Sequence, residues 1–393
     1  MNAALAFQQQ PARASARLAV GRLIVTDFRC YASARLEIDG RPVVLTGANG
    51  AGKTNLLEAV SFLAPGRGLR RAKLSEIDRL AGDATGWAVA ARLETALGPL
   101  DIGTGRDMAA VSGVERRVVR IDGETAKSQS VLADHISMAW LTPQMDRLFL
   151  DGASGRRRFF DRLAYGADPA HAGRVSAYEQ ALRERARLLK QGRADARWLA
   201  ALEEQMAAGG IAIAAARQAL VARLNRACEM STGPFPRAAL ALEGTVDQWL
   251  AEMPALDAED RLRAALADSR RLDAETGGAA EGPHRSDIVA RHVEKDMPAA
   301  LCSTGEQKAL LIAITLAHAR AQTAETGIAP ILLLDEVAAH LDETRRAALY
   351  DEICALGSQA WLTGTDRALF EPFAGRAQYA IVADATITHE ASV

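Results

Sequence analysis

The sequence predicts an α/β fold that is built around a phosphate-binding loop and interrupted by a helical insertion. Residues 47–54 follow the spacing of a glycine, four residues and then Gly-Lys-Thr, between a strand-like apolar segment and a helix-like amphipathic one. Residues 331–336 form an apolar run that ends in two carboxylates. Between these motifs, residues 163–275 are rich in Ala, Leu, Arg and Glu, which is typical of long helices packed together.

Bulk composition sets broad limits on the class of protein. The chain has 393 residues, enough for two domains or for one domain with a large insertion. Because 47 Lys and Arg face 49 Asp and Glu, the formal net charge of -2 neither indicates nor excludes a nucleic-acid partner. The four cysteines show no metal or redox spacing. No apolar segment follows a basic start, and Arg217 and Arg223 interrupt the apolar run at 211–224. We therefore expect a cytoplasmic protein with no membrane partner.

Apolar periodicity predicts the elements of the N-terminal half. Residues 1–16 have the composition of a flexible extension. The short alternating segments that follow predict an antiparallel patch beside the phosphate loop, with the first turn near residues 30–33. The predicted elements are strands at 18–28, 34–38, 87–95, 99–102, 116–121 and 136–141, and the start of a helix at 146–150.

The α/β pattern returns after the helical insertion at 163–275. Residues 17–162 and 276–393 are therefore expected to form one α/β domain, lobe I, with the insertion as lobe II. The predicted elements of its second part are a helix opened by residues 303–306, strands at 330–336 and 359–363, a helix at 342–355 and a terminal hairpin at 378–388.

The phosphate loop carries the most specific chemistry in the sequence. In a strand, glycine loop and helix, backbone N–H groups and a helix N-terminus surround a polyphosphate. Lys53 is expected to reach the β- and γ-phosphates and the Thr54 hydroxyl to bind Mg²⁺. The alternative is a simple glycine-rich turn between a strand and a helix. The complete phosphate-loop motif, in the strand and helix context that it requires, disfavours that alternative. The candidate nucleotide-binding residues are Gly47, Ala48, Asn49, Gly50, Ala51, Gly52, Lys53 and Thr54.

Asp335 and Glu336 follow an apolar strand that is expected to be buried on both faces. In open α/β sheets, ligands bind at the carboxyl ends of the strands, which is where these carboxylates fall. Asp335 is predicted to hold Mg²⁺ directly or through water, and Glu336 to act as the general base for an attacking water. Together with Lys53 they form the predicted catalytic set. A strand that ends in Asp-Glu also arises by chance, so the pair alone is weak evidence for a nucleotide site. Together with the upstream phosphate loop it becomes strong evidence.

Residues 303–308 begin a long apolar helix with Ser-Thr-Gly-Glu-Gln-Lys. A simple helix cap explains the start, with Ser303 or Thr304 as the cap and Glu306 in a capping box. The exposed N–H groups of such a helix start also bind anions, so both interpretations are compatible. Placed just before an Asp-Glu strand, the segment resembles the signature motif of ABC-type ATPases. That resemblance implies that Ser303 and Gly305 contact the γ-phosphate of ATP bound by a second protomer.

Four further segments resemble the RecF family, bacterial DNA-repair ATPases related to the SMC heads. Residues 23–31 resemble its Asn-Phe-Arg-Asn-Tyr start, and residues 54–59 its continuation of the phosphate loop. Residues 156–161 resemble its paired-Arg, Phe, Leu, Asp stretch, and residues 282–287 its Gly-Pro-His-Arg segment. The resemblance runs from about Arg22 to Ala383. It implies an ABC-type, SMC-head-like fold in which lobe I is the ATPase domain.

The resemblance also implies a function. Members of the family bind ATP and Mg²⁺, dimerise on ATP, and hold duplex DNA near single-strand gaps. A weak, DNA-dependent ATPase activity then releases the DNA. The implied partners are DNA and RecR, with RecO, in loading RecA during replication restart, recombinational repair and the SOS response. Ser303 and Asp342 are the implied dimer-interface residues, and Gln144 is the candidate for a glutamine that links the metal to lobe II.

Local basic segments leave several alternatives open. Arg67, Arg70, Arg71 and Lys73 are candidates for contacting DNA phosphates, or they form a solvated loop. The run 156–158 is a second basic segment, which is either a solvated helix face or a set of partners for carboxylates of the insertion. His284 and Arg285 have either a structural or a functional role.

The sequence departs from the family pattern at one expected residue, and other classes of protein are also considered. No histidine occurs within residues 363–366, where the switch histidine of ABC ATPases is expected. The alternatives are another SMC-like head, a small-molecule kinase and a transporter nucleotide-binding subunit. The signature helix argues against the kinase, and the large insertion argues against the transporter.

Overall fold

The computed structural model describes residues 17–80, 86–107, 116–192 and 195–389, so the predicted extension at 1–16 lies outside the described residues. Strands in these ranges are β1 (Ala19–Phe28), β2 (Tyr31–Glu37), β3 (Val43–Thr46), β4 (Ala88–Thr95), β5 (Gly98–Arg106), β6 (Arg117–Ile121), β7 (Glu124–Thr125), β8 (Met138–Leu141), β9 (Ala238–Glu243), β10 (Asp287–His292), β11 (Met297–Pro298), β12 (Ile331–Leu334), β13 (Ala360–Gly364), β14 (Gln378–Ala383) and β15 (Thr386–His389). The α-helices are α1 (Lys53–Ser61), α2 (Ala153–Ala164), α3 (Ala170–Gln191), α4 (Ala196–Glu229), α5 (Thr245–Glu252), α6 (Ala255–Asp268), α7 (Arg270–Thr276), α8 (Thr304–Thr326) and α9 (Glu343–Leu356).

A six-stranded central sheet carries the predicted nucleotide motifs. Its strand order is β15-β14-β3-β13-β12-β8, and every pair is parallel except the β14–β15 hairpin. Strands β3, β8, β12 and β13 are buried along their whole length, as expected of parallel strands covered on both faces. Since the parallel strands share one direction, the residues that follow β3, β8, β12 and β13 meet at one edge of the sheet.

A second, antiparallel sheet has the order β2-β1-β4-β5-β6-β7 and packs against α1. Phe28 meets Phe62 and Trp87 edge to face, and the rings of Phe62 and Trp87 are tilted at 55°, with ring centroids 4.8 to 6.0 Å apart in the three pairs. The two sheets are joined by Gln359, a fully buried side chain that accepts from the N–H of Val20 and donates to its carbonyl, both at 2.9 Å. The predicted antiparallel patch is therefore present beside the phosphate loop.

Helices α3 to α7 occupy most of the predicted helical insertion, together with β9, a strand that the sequence analysis did not predict. Residues of β9 are good helix formers, but β10 pairs with it from Asp287↔Glu243 to His292↔Ala238. Burial alternates along the first residues of β9, so tertiary pairing overrides local propensity. The predicted boundary between residues 162 and 163 falls inside α2.

Two local predictions were wrong. No α-helix starts at 146–150: the 3₁₀ turn Pro143–Arg147 covers its first residues, because backbone N–H groups there bond three residues back, as from Leu148 to Met145 at 2.8 Å. The first turn lies at Arg29 and Cys30, before the predicted position, and β2 already begins at Tyr31. Asp27 and Arg29 adopt left-handed φ values of 47° and 56°, which close this tight connection.

Helix α4 is long and apolar enough, by length and composition, to cross a membrane, contrary to the expectation from sequence. Half of its most apolar window is buried inside the molecule. Arg217, within that helix, forms a buried two-bond ion pair with Asp161 of α2, at 2.8 Å for each bond. The helix also contacts α3, α6 and α8, so its apolar character is that of a core helix.

His318 lies fully buried in the middle of α8, and burial lowers the pKa of its ring to about 3, with Arg223 and Arg162 adding to the effect. Because the pKa is lower in the folded chain, the unfolded chain takes up this proton first and stability falls as pH falls. Between about pH 7.5 and about pH 5.5 this group should cost about 1.4 kcal/mol of unfolding free energy. His318→Asn should flatten the pH dependence measured by urea unfolding, whereas His340→Asn, at an exposed position, should not. Equal slopes in all three proteins would refute this.

Candidate nucleotide-binding site

The phosphate loop runs from the end of β3 to the start of α1, and two glycines fix its path. Gly47 has a φ of +150°, and a Cβ there would lie 2.1 Å from the carbonyl oxygen of Val382 in β14. Gly52 has a φ of +116°, and a Cβ there would lie 2.6 Å from the Tyr31 hydroxyl and 2.9 Å from Cys30 Sγ. Glycine is therefore required at both ends of the loop, by backbone conformation and by space.

The Lys53 side chain folds back into this loop. Its ammonium donates to the carbonyl oxygens of Gly47 and Ala48, each at 2.8 Å. Burial lowers the pKa of Lys53, while the charges of Glu336 and Asp335 oppose that effect. The loop thus holds the Lys53 ammonium, a cation that can bind a phosphate. Two carboxylates lie near the same cation.

Thr54 and Asp335, which are 281 positions apart in the chain, are in direct contact. The Thr54 hydroxyl donates to the Asp335 carboxylate at 2.9 and 3.1 Å. Thr363, at the end of β13, donates to the same carboxylate at 2.8 Å. Asp335 is only 4% exposed, so its charge lies in a confined position among hydroxyl groups and the Lys53 ammonium. Hydroxyl and carboxylate oxygens are the ligands that Mg²⁺ prefers, and this pair fits a magnesium site.

Glu336 begins a sharp change of direction after β12. Its backbone has a φ of +52°, a left-handed conformation that is uncommon outside glycine, Asn and Asp. Its N–H donates to Thr363 Oγ1 at 2.8 Å, which holds the strained residue in place. Thr363 lies within the segment where a switch histidine was expected, and its hydroxyl donates to the Asp335 carboxylate and accepts from the Glu336 backbone N–H.

Gln144 follows β8, the strand beside β12. Leu141 pairs with Leu334 in register, and the N–H of Asp335 donates to the Leu141 carbonyl at 2.9 Å. Gln144 is exposed in the 3₁₀ turn that follows, at the same edge of the sheet. Within the described ranges no hydrogen bond joins its side chain to Asp335 or Thr54, so a metal-linking role stays a prediction.

Ser303 caps α8 in the capping box expected from sequence. Its hydroxyl accepts from the N–H of Glu306 at 3.4 Å, and its own N–H donates to the Glu306 carboxylate at 2.9 Å. Lys295 also binds that carboxylate, and these partners lower the pKa of Glu306 to about 2. Ser303 and Gly305 are exposed, and a Cβ at Gly305 would meet nothing within 4 Å. The start of α8 therefore presents an open surface, and Lys295 balances the charge of the Glu306 carboxylate there.

Asp342 caps the next helix, α9. Its carboxylate accepts from the Arg345 N–H at 2.8 Å, and the residue is exposed. In the single chain, Asp342 makes the contact of a helix cap. A role for Asp342 in a dimer interface therefore remains a prediction.

The four candidate DNA contacts are all exposed, but their surroundings differ. Arg70 pairs with the fully buried carboxylate of Glu58 in α1 at 3.1 Å, and Arg29 binds the same carboxylate at 2.8 and 2.9 Å. Arg71 has a left-handed φ of 59°, and its pKa is lowered first by burial and then by the nearby charges of Arg158 and Arg67. Arg70 thus holds the loop to α1, whereas Arg71 belongs to a cluster of like charges.

The second basic segment and the Gly-Pro-His-Arg segment are largely structural. Arg156 binds Asp287 at 2.7 and 2.8 Å, and Arg157 donates to the Ser286 carbonyl at 2.6 Å. His284 bonds to the Tyr178 hydroxyl at 2.8 Å, and Arg285 donates to a backbone carbonyl at 2.9 Å. The structural interpretation of these residues fits the contacts that they make.

Arg117 was missed by the sequence analysis. Its guanidinium donates to the carbonyls of Phe62, Ala64 and Gly66, which follow α1 and lead into the basic loop. Burial lowers the pKa of Arg117 to about 9. A single cation thereby fixes the end of α1 and the start of the loop. These contacts of Arg117 depend on how the folded chain brings β6 to the end of α1. No local pattern in the sequence predicts them.

Known proteins resemble this chain over most of its length. A family model described as the RecF/RecN/SMC N terminal domain matches residues 19–380. The DNA replication and repair protein RecF of Allorhizobium ampelinum is 54% identical over 367 residues, covering 93% of this chain and 97% of that protein. A structure of the recombination mediator protein RecF with ATP superposes with a TM-score of 0.81 at 22% identity, covering 97% of this chain and 100% of that one. An SMC head domain from Pyrococcus furiosus gives a TM-score of 0.52 at 16% identity, covering 95% and 96%.

The fold is therefore that of the SMC head domains, which confirms the predicted fold class. Within that class, the chain belongs to the RecF family.

Two loop glycines offer a matched test of the loop geometry. Gly50 has a φ of +80°, but a Cβ there would meet nothing within 4 Å, whereas Gly47 lies against the backbone of β14. Gly50→Ala should cost about 1–2 kcal/mol of unfolding free energy from backbone strain alone. Gly47→Ala should cost clearly more, because β14 must shift. Urea unfolding of both variants measures the difference, and equal losses would show that the contact with Val382 is unimportant.

Proposed function

We propose that this protein is an ATP-driven switch that binds and releases DNA as a dimer. The observation that carries the proposal is the contact of Thr54 with Asp335 beside the buried Lys53 ammonium. It unites a phosphate loop with a carboxylate of the kind that holds Mg²⁺, at the edge of the sheet where nucleotides bind. The family supports ATP as the nucleotide.

The residues of the site divide the chemistry among them. The N–H groups of residues 47–54 and the Lys53 ammonium bind the phosphates, and Thr54 and Asp335 would hold Mg²⁺. When bound, Mg²⁺ neutralises charge on the phosphate oxygens. Glu336 accepts the proton of the attacking water, and Thr363 fixes its backbone for that task. The resulting activity is a slow ATPase that depends on DNA.

A second protomer completes this site. The start of α8 is exposed and has an open surface at Gly305, which suits contact with a γ-phosphate held by a partner. Ser303 and Asp342 would then lie in the dimer interface. Since ATP binds the dimer better than the monomer, ATP shifts the population towards the dimer.

The dimer is proposed to bind duplex DNA near single-strand gaps. Relatives named DNA replication and repair protein RecF support this, as does the RecFOR pathway named for the similar structure. We accordingly propose RecR, with RecO, as partners, and a role in loading RecA in the cytoplasm during repair and the SOS response. Residues 17–162 and 276–393 would act as lobe I, and residues 163–275 as lobe II.

Glu336→Gln tests the shared ATP site. It should lower hydrolysis by about 10²-fold or more, since a general base is lost. The variant should therefore accumulate as a dimer with Mg²⁺ and ATP in sedimentation velocity, while the natural protein returns to monomer as ATP is used. Lys53→Ala, which loses the phosphate contact, is the control that should stay monomeric. Absence of ATP-dependent dimers in both the natural protein and Glu336→Gln would sink the mechanism.

Arg67→Ala together with Arg71→Ala tests the DNA surface without disturbing Glu58. Each lost phosphate contact should reduce the salt slope of duplex binding by about 1 and weaken binding at low salt. Arg263→Ala, at a surface position in α6 next to Asp260, is the control. Fluorescence anisotropy with ATP across a range of salt concentrations gives the slopes. A slope that matches the natural protein would mean that the loop is a solvated surface.

A further inference from the structure

Lys308, in the second turn of α8, carries a buried ammonium. Its side chain is 7% exposed, and its Nζ lies 3.5 Å from Oδ2 of Asp146. Within the described residues, this is the one carboxylate at ion-pair distance from Lys308. Since removing one partner leaves a buried charge uncompensated, the pair constrains the segments on which its two members lie.

Those segments belong to different motifs of the proposed site. Asp146 lies in the 3₁₀ turn Pro143–Arg147, two residues after Gln144. Lys308 lies five residues after Ser303, on the rigid helix that Ser303 caps. The ion pair therefore joins the turn that carries Gln144, the residue predicted to link the metal, to the helix start that would face the ATP of a partner protomer.

A small cavity adjoins the ion pair. It is lined by Leu141 and Met145 from the turn side, Leu311 from α8 and Val337, the residue after Glu336, together with Thr142 and the pair itself. Three segments that carry nucleotide motifs meet here around a space of about 10 Å³, roughly the room of one water molecule. Among these mostly apolar side chains, the ion pair is the charged contact between the turn and α8.

We propose that the Lys308–Asp146 ion pair is a positioning link that couples the two ATP sites of the dimer. Occupation of one protomer's site moves the turn that carries Gln144 and Asp146. Through Lys308 that movement sets the position of Ser303 at the partner's ATP. This inference rests on the proposed function. Lys308 touches no nucleotide itself, so it is a positioning residue and not a catalytic one.

The pair should influence dimerisation and hydrolysis but not the binding of ATP to the monomer. Lys308→Met keeps the apolar stem, and Asp146→Asn removes the charge from a side chain that is 34% exposed. In the Glu336→Gln background, either change should weaken ATP-dependent dimerisation about tenfold. Affinity of the dilute monomer for a fluorescent ATP analogue should change less than about twofold, since neither residue lies in the phosphate loop.

Three further variants separate a positioning role from a merely structural one. Lys308→Arg should restore dimerisation, because it keeps the charge. The double variant Lys308→Met with Asp146→Asn should be no worse than either single change, because both members of one link are gone. Arg147→Ala, at the exposed neighbouring position in the same turn, is the control and should leave dimerisation unchanged.

The outcomes distinguish this inference from the function on which it rests. If Glu336→Gln fails to dimerise with ATP, the proposed function and this inference fall together. If Glu336→Gln dimerises and Asp146→Asn in that background dimerises equally well, only the positioning link is overturned. Additive losses in the double variant, or an equal loss of ATP affinity in the monomer, also overturn it.

Discussion

The Asp335 carboxylate connects the parts of the protein that form the nucleotide site. It accepts hydrogen bonds from Thr54 at the start of α1 and from Thr363 at the end of β13, and it directly follows β12. Three elements from distant parts of the chain are thereby fixed by one acidic group. Because the group is buried and would otherwise repel Glu336, the Lys53 ammonium beside it offsets its charge and is a condition of stability, besides binding phosphate in the proposed function.

Outside that site, buried charges join one motif to the next. Glu58 links the phosphate-loop helix to the basic loop through Arg70, and Arg117 fixes the same loop from its other end. Lys308 joins α8 to the turn after β8. Each such group is costly to bury alone, so its partner must stay in place. The motifs are therefore held at defined distances by ionic contacts as well as by apolar packing.

The sequence predicted those elements that a short local pattern specifies. The phosphate loop, the buried strands and the cap at Ser303 each have a short signature, and the structure forms all of them. It did not predict β9, whose helix-forming residues become a strand only because β10 pairs with them. Nor could it assign separate roles to Arg70 and Arg71, since Glu58 lies twelve residues before Arg70 and nothing in the sequence joins them. Long-range pairing decides such cases.

Strand β3, which leads into the phosphate loop, lies between β13 and β14. Both neighbours come from the last part of the chain, after residue 359. During synthesis, β3 therefore leaves the ribosome with both edges unpaired and waits for more than three hundred residues, whereas α3 and α4 can pack on each other early. The nucleotide site is thus the last part of the molecule to form. Chains cut short before β13 therefore expose two open strand edges beside the phosphate loop, and such edges invite aggregation.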